Sequence, residues 1–205
     1  MASIKKFKKT EIVNQLRHIE RTIRNPTNED IDQSRSSSNY SLLPQRDISS
    51  YEYFLQRKSQ LHCMNRADVT LMAGWIVTFP NTAPPSEQTR FFQTVYEFLN
   101  MRYGEKNCIQ AVVHQDESGQ AHLHYCFLPV VSDHKHGGEK ICCNELINRT
   151  ELRNFHPALQ QYLHDNNLEI NIISGITQRQ GGNRTVKEMK QERKYNYSYE
   201  HERRW

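Results

Sequence analysis

His114-Gln-Asp116-Glu117-Ser-Gly-Gln-Ala-His122-Leu-His124 places three histidines and two carboxylates in one short stretch. Apolar residues flank it on both sides, Ile109 to Val113 before and Leu123 to Val131 after. In a β-strand, residues i and i+2 face the same way, so His122 and His124 project side by side if this segment is a strand. His114 ends the preceding apolar run, and the polar segment Gln115 to Gln120 reads as a hairpin loop. Such a hairpin brings three imidazoles together with Asp116 and Glu117 beside them. Three neutral nitrogen ligands with open positions suit a catalytic divalent metal.

Outward from the hairpin, alternation over 3–8 predicts a short first strand. Ile12, Leu16 and Ile19 predict a helix over 10–24, broken at Asn25-Pro26-Thr27-Asn28. Residues 27–47 are rich in Ser, Asn, Asp and Arg, a loop long enough to suggest function. A helix follows over 50–61, then a strand at Gly74–Phe79 closed by Pro80 and Pro84-Pro85. Ser86 is positioned to cap a helix reaching about Arg102, with Phe91, Phe92, Val95, Phe98 and Leu99 as its core stripe, and Gly104 stops it. After the hairpin come a turn at His134–Gly138, a short strand over Lys140–Cys143, a helix over 144–165 and a strand over Leu168–Ile173. A break at Gly181-Gly182 precedes a charged helix from Thr185 to about Tyr197. The order β-α-α-β-α-β-β-β-α-β-α predicts an α/β fold, a two-layer sandwich with a mainly antiparallel central sheet flanked by helices.

The chain has 205 residues, 36% hydrophobic and 24% charged, which fits one globular domain over 1–205. A net charge of +4 leans mildly toward a polyanionic partner. No apolar run is long enough to span a bilayer, and the N-terminus lacks the apolar core of a secretory signal, so the expected location is the cytoplasm. Five cysteines without C-x-x-C spacing read as reduced thiols.

Other features have plainer readings. Asp116 and Glu117 are ordinary loop acids unless a metal lies beside them, where they become orienters or a proton acceptor. His134 and His136 sit in a glycine-rich turn with no further ligands in sight. Cys142-Cys143 reads as packing. Tyr195, Tyr197 and Tyr199, among basic residues, read as a solvated tail. His18 and Arg21 lie three apart on the predicted first helix and share a face. The loop from Asn28 to Tyr40 holds residue types that contact phosphates and base edges.

Together these segments resemble the relaxase domain of plasmid mobilization and recombination (Pre/Mob) proteins of the MOB-V class. His18-Ile-Glu-Arg21 resembles the family's first motif. Asn28-x-x-Ile31-Asp32-x-Ser34-Arg35-Ser36-x-x-Asn39-Tyr40 resembles its second, and His114-x-Asp116-Glu117 with His122-x-His124 its third. The helix from Arg90 to Tyr103 and the segment Thr185 to Lys190 are similar too. The chain departs from the pattern at Ala121, where proline is usual, at Ile19, where asparagine is common, and in a hairpin loop one residue longer.

The resemblance implies nicking and rejoining of one strand at a transfer origin through covalent attachment to the 5′ phosphate. It implies an HUH-like fold, with His114, His122 and His124 holding Mn²⁺ or Mg²⁺ and His18 as nucleophile. Tyr40 is the alternative nucleophile. Arg21, Asp116 and Glu117 complete the catalytic set, Arg21 pairing with Glu117 or with phosphate. Arg17, Arg35, Ser36, Asn39 and Tyr40 are expected DNA contacts. The implied partners are transfer-origin DNA, as a hairpin or duplex plus the single strand at the nick, and a coupling protein of the conjugation machinery. No small-molecule substrate or membrane is expected for this domain. The family's C-terminal helical region is expected to be missing from the chain. Two other classes stay open: a zinc hydrolase using the three histidines, and a non-catalytic DNA-binding regulator.

Overall fold

The computed structural model describes residues 2–24 and 28–173, and everything below concerns those residues. The predicted Gly181-Gly182 break, the charged helix after it and the tyrosines 195, 197 and 199 lie outside them.

The elements are β1 (Ala2–Lys8), α1 (Lys9–Ile19), β2 (Tyr40–Ser41), α2 (Ser50–Ser59), β3 (Thr70–Thr78), α3 (Gln88–Tyr103), β4 (Cys108–His114), β5 (His122–Phe127), β6 (Val130–Ser132), β7 (Glu139–Ile141), α4 (Cys143–Leu146) and α5 (Arg149–Asp165). A five-stranded antiparallel sheet runs β1-β3-β5-β4-β2, and β6 and β7 form a separate two-stranded ribbon. The expected sheet flanked by helices is present, and the helices divide between its faces. Trp75, Val77, Ala111, Val113, Leu123 and Tyr125 pack with Phe91, Phe92 and Val95 of α3 and Phe155, Leu159 and Leu163 of α5. Phe7, Met72, Ile109 and Cys126 pack with Ile12, Leu16 and Ile19 of α1 and Phe54 of α2. Each central strand is covered on both sides, which is why β4 and β5 read as nearly continuous apolar runs.

The caps follow local chemistry. Glu11 accepts from the Lys8 N–H at 2.7 Å at the start of α1. Ser49 and Glu52 form a reciprocal capping box on α2. Gly104 ends α3 with φ +85°, and a Cβ there would lie 2.9 Å from Asn107 Nδ2. The exposed edge of β4 is covered by β2 and then by Arg46, whose guanidinium donates to the Ile109 and Cys108 carbonyls and stacks on Tyr53.

Several expectations are corrected. Ser86 does not cap α3, because it lies in a short 3-10 turn, Pro85–Glu87, that feeds the helix. α1 stops at Ile19 rather than 24. β3 begins at Thr70, and Cys143 opens α4 instead of closing a strand. Leu168–Ile173 is not a strand. Leu168, Ile170 and Ile172 alternate into the core as a strand would, but their backbone is satisfied from α5: Leu168 N donates to the Leu163 carbonyl, and the Gln160 side chain donates to the Ile170 carbonyl and accepts from the Ile172 N–H.

The face behind the sheet contains a buried polar relay. Trp75 Nε1 donates to the Tyr103 hydroxyl at 3.0 Å, and that hydroxyl donates to Glu151, which also holds the fork of Arg102. Tyr103→Phe leaves the indole N–H of a residue only 2% exposed without its acceptor. The expected loss is about 1–3 kcal/mol, read as a Tm lowered by several degrees. An unchanged melting curve would remove the relay from the account of stability.

Candidate active site

The β4–β5 hairpin pairs His114 with His122 and Val112 with His124, so the three histidines share the sheet face that carries α1. Ring centroids lie 5.5 Å apart for His114–His122, 4.6 Å for His114–His124 and 4.9 Å for His122–His124. One ring nitrogen is anchored in two of them. His114 Nε2 lies 2.8 Å from the Ile19 carbonyl, and His122 Nδ1 lies 3.0 Å from the Gln120 carbonyl. A carbonyl only accepts, so these nitrogens carry the protons, and His114 Nδ1 and His122 Nε2 are left with lone pairs.

His114 Nδ1 is buried without a hydrogen-bond partner, and His122 Nε2 faces His124 Nε2 at 3.1 Å. A buried ring nitrogen without a partner is unfavourable in a protein interior, and a cation that took its lone pair together with those of His122 and His124 would satisfy it. Burial lowers His114 to about 4 and His124 well below its ordinary value, so both are neutral ligands at pH 7. Among the described residues three protein nitrogens converge here, a donor set that fits a divalent metal with open positions.

α1 brings a fourth imidazole to this cluster. Its apolar stripe seats the helix on the sheet, and His18 in the last turn comes edge-on to His114 at 6.3 Å and His124 at 6.1 Å. Burial lowers the pKa of His18 first, with the charge of Arg21 and then Lys5 and His122 adding to it against the opposing charge of Glu117. His18 is therefore a neutral imidazole at pH 7, with a lone pair free for attack.

Arg21 does not share a helix face with His18 as the spacing suggested. It lies beyond the end of α1 at φ +55°, a left-handed turn that sends its guanidinium inward. Nε and Nη2 form a fork on Asp116 at 2.8 and 2.7 Å, Nη2 also reaches Glu117 at 2.9 Å, and Nη1 donates to the His18 carbonyl at 3.1 Å. Asp116 has no exposed surface and also accepts from Ser36 Oγ at 2.7 Å. Burial opposes its charge, but hydrogen bonds from Arg21 and Ser36, with Asn39 beside it, outweigh that and hold the carboxyl well below the usual range. Glu117 stays near the three histidines despite Ala121 and the longer loop. Its Oε2 lies 3.9 Å from His122 Nε2, and its backbone bridges to Ile31.

The polar 28–40 loop therefore has an internal role. Asn39 accepts from the Gln115 N–H at 2.7 Å, Asp32 N donates to the Asp116 carbonyl at 2.7 Å, and Arg35 bonds the Gln115 carbonyl. Of the expected DNA contacts, Ser36, Asn39 and Tyr40 turn inward, and Arg17 and Arg35 are exposed. Tyr40 lies opposite Val113 and packs into the core behind the sheet, on the face away from the histidines, and burial pushes its phenol up. That removes it from reach of the cluster as a nucleophile.

Of the groups that frame His18, sequence reading missed Ile23, Arg24, Gln33 and Lys5. A cleft beside His18 is lined by Arg21, Ile23, Arg24, Ile31, Gln33 and Ser36, and Lys5 approaches from β1 on the histidine face. Strand alternation over 3–8 carries the signal for Lys5, since it shares a face with the core residue Phe7.

A family model described as plasmid recombination enzyme matches residues 1–196. A plasmid recombination enzyme of Lactiplantibacillus plantarum is 31% identical over 180 residues, covering 83% of this chain and 47% of that protein. One from Streptococcus agalactiae is 30% identical over 199 residues, covering 93% and 38%. The chain spans roughly a third to a half of the length of the curated relatives it matches. Among solved structures, the Mn-bound MobM relaxase domain (MOBV; Mob_Pre) in complex with plasmid pMV158 oriT DNA superposes with a TM-score of 0.74 at 26% identity, covering 93% of this chain and 97% of that one. Among the described residues no helix is long and apolar enough to cross a membrane.

Proposed function

Because the chain belongs to the plasmid recombination enzyme family, we propose that it is a DNA relaxase that nicks and rejoins one strand at a plasmid transfer origin. The observation that carries this reading is a neutral, partly buried His18 at the edge of a three-histidine cluster, beside a cleft that includes Arg24. A metal without a nucleophile would suit hydrolysis. A metal with a deprotonated imidazole beside it suits transfer of phosphate to the protein.

His114, His122 and His124 would hold the metal, with Mn²⁺ favoured over Mg²⁺ because imidazole suits the former and oxygen the latter. When bound, the metal polarises the scissile phosphate and offsets the charge that builds up on its oxygens. The His18 lone pair forms the N–P bond as the P–O3′ bond breaks. The 3′ oxygen leaves and takes up a proton, and the other ring N–H gives one up, with Glu117 as the carboxylate whose charge acts on it. The 5′ phosphate stays on His18 as a phosphoramidate. Attack by a 3′ hydroxyl reverses each bond change and rejoins the strand. Arg21 is a positioning residue, locked to two carboxylates and to the His18 carbonyl. Lys5, Arg17, Arg24 and Arg35 would contact phosphates, which makes affinity fall as salt rises. A coupling protein of the conjugation machinery is the expected protein partner.

The test is supercoiled plasmid carrying the cognate origin, incubated with protein and Mn²⁺, then treated with detergent and protease. The reading expects relaxed DNA whose 5′ end is blocked by bound peptide. Removing metal with a chelator should lower nicking by about a hundredfold or more. Mn²⁺ should restore it better than Mg²⁺. Nicks with free 5′ phosphates would identify a hydrolase instead, and DNA binding without nicking a regulator.

A further inference from the structure

A second convergence of ligand-type side chains lies at the other end of the central strands. β5 runs from His122 away from the candidate active site, roughly 20 Å of strand, before the β6–β7 ribbon begins. In the turn of that ribbon, Asp133 is buried, its side chain 2% exposed. The His62 and His136 rings beside it are half-exposed, at 47% and 49%. Both direct Nδ1 at one oxygen of Asp133, at 2.7 Å from His62 and 3.0 Å from His136, and the ring centroids are 4.5 Å apart. One ligand atom from each of the three residues lies within 4.8 Å of the others.

We propose that His62, Asp133 and His136 form a second divalent-metal site, of a kind suited to Zn²⁺, that fastens the β6–β7 turn to the segment following α2. The site is independent of the nicking chemistry and shares no residue with it.

Four features support the assignment. The ligand set, two imidazoles and a carboxylate, is of the type zinc takes, with a fourth position open to water. Donors around a four-coordinate zinc at about 2.0–2.2 Å are roughly 3.3 Å apart, so the two Nδ1–Asp133 spacings, 2.7 and 3.0 Å, need to open by roughly half an ångström. The carboxylate is held in place on its other oxygen by the N–H groups of Lys135 and His136. Finally, the backbone sets the partners in register. His62 N donates to the Glu139 carbonyl and the His62 carbonyl accepts from Ile141 N, so the His62 ring is carried to the ribbon by main-chain pairing. Gly137 and Gly138, both at positive φ, close the turn that returns His136 over Asp133.

The experiment is equilibrium dialysis of the whole chain against ZnCl₂, followed by metal counting. About two zinc ions per chain are expected for the native protein, one at each cluster. His62→Gln and His136→Gln should each reduce the count to about one, by weakening the second site at least about tenfold. Glutamine keeps a hydrogen-bond donor for the buried Asp133 carboxylate, and the melting curve of each variant without zinc checks that its fold is retained. In a His122→Ala background the remaining zinc should disappear when His136→Gln is added. In the same background zinc should raise Tm, and adding His136→Gln should abolish the rise. A native count of one that His136→Gln does not change would overturn the proposal. So would a second zinc that survives both His62→Gln and His136→Gln, because it would lie elsewhere.

Discussion

His18→Ala is expected to abolish formation of the covalent 5′ adduct, lowering the nicking rate by about 10³-fold or more. Metal content and affinity for origin DNA should stay near native. The separation follows from geometry. His18 comes from α1 and meets His114 and His124 ring edge to face, while the three nitrogens that would hold the metal belong to β4 and β5. Losing the His18 ring removes the attacking nitrogen and leaves the ligand set in place. Tyr40→Phe should nick at a rate close to native, because the phenol lies behind the sheet and burial pushes its pKa up. Denaturing gels of end-labelled DNA after single turnover read both results. A His18→Ala protein that still forms the 5′ adduct would sink the nucleophile assignment, and loss of the adduct in Tyr40→Phe would move it to the tyrosine.

The hairpin and the α3 core stripe were legible because their signals are local. Period-two spacing fixes which face His122 and His124 share, and Phe91, Phe92, Val95, Phe98 and Leu99 recur at helical spacing. The HUH-like reading came from motif resemblance. Other parts were illegible for a common reason: periodicity tells that a residue faces inward and says nothing about its partner. Leu168, Ile170 and Ile172 alternate as a strand does, yet their backbone pairs with α5, through the Leu163 carbonyl and the Gln160 amide. The 28–40 loop is polar, which suggests solvent or phosphate, but its Ser36 and Asn39 are polar because they face a buried carboxylate and its flanking N–H. Arg21 showed no signal for a left-handed turn, since arginine rarely adopts one. His136 looked like a turn residue without ligand partners because His62 lies far away in sequence and arrives only through pairing with β7.

The largest stability effect should come from Asp116→Asn. Asp116 joins all three motif segments: Arg21 after α1, Ser36 in the polar loop and the start of the hairpin loop. The substitution takes the charge from a fully buried carboxylate and leaves the Arg21 guanidinium, only 13% exposed, with Glu117 as its remaining anion. Breaking a buried pair from one side costs about 3–5 kcal/mol when the charge left behind has no other partner; with Glu117 still on Arg21 the expected loss sits at the lower end, about 3 kcal/mol, a Tm lower by roughly 6–12 °C. Nicking should fall as well, because Arg21 also holds the His18 carbonyl, whereas metal content should change little, since Asp116 supplies none of the three nitrogens. Arg21→Met combined with Asp116→Leu should recover part of the lost stability, since the buried Arg21–Asp116 pair is then removed from both sides while the more exposed Glu117 loses its Arg21 partner. It should not recover nicking, because the contact that places His18 is gone. Thermal melts and single-turnover adduct formation on the two single variants, the double variant and the native chain measure the coupling directly. If Asp116→Asn melts within a degree or two of native, the carboxylate is not the link between the three motifs, and the placement of His18 must rest on the packing of α1 alone.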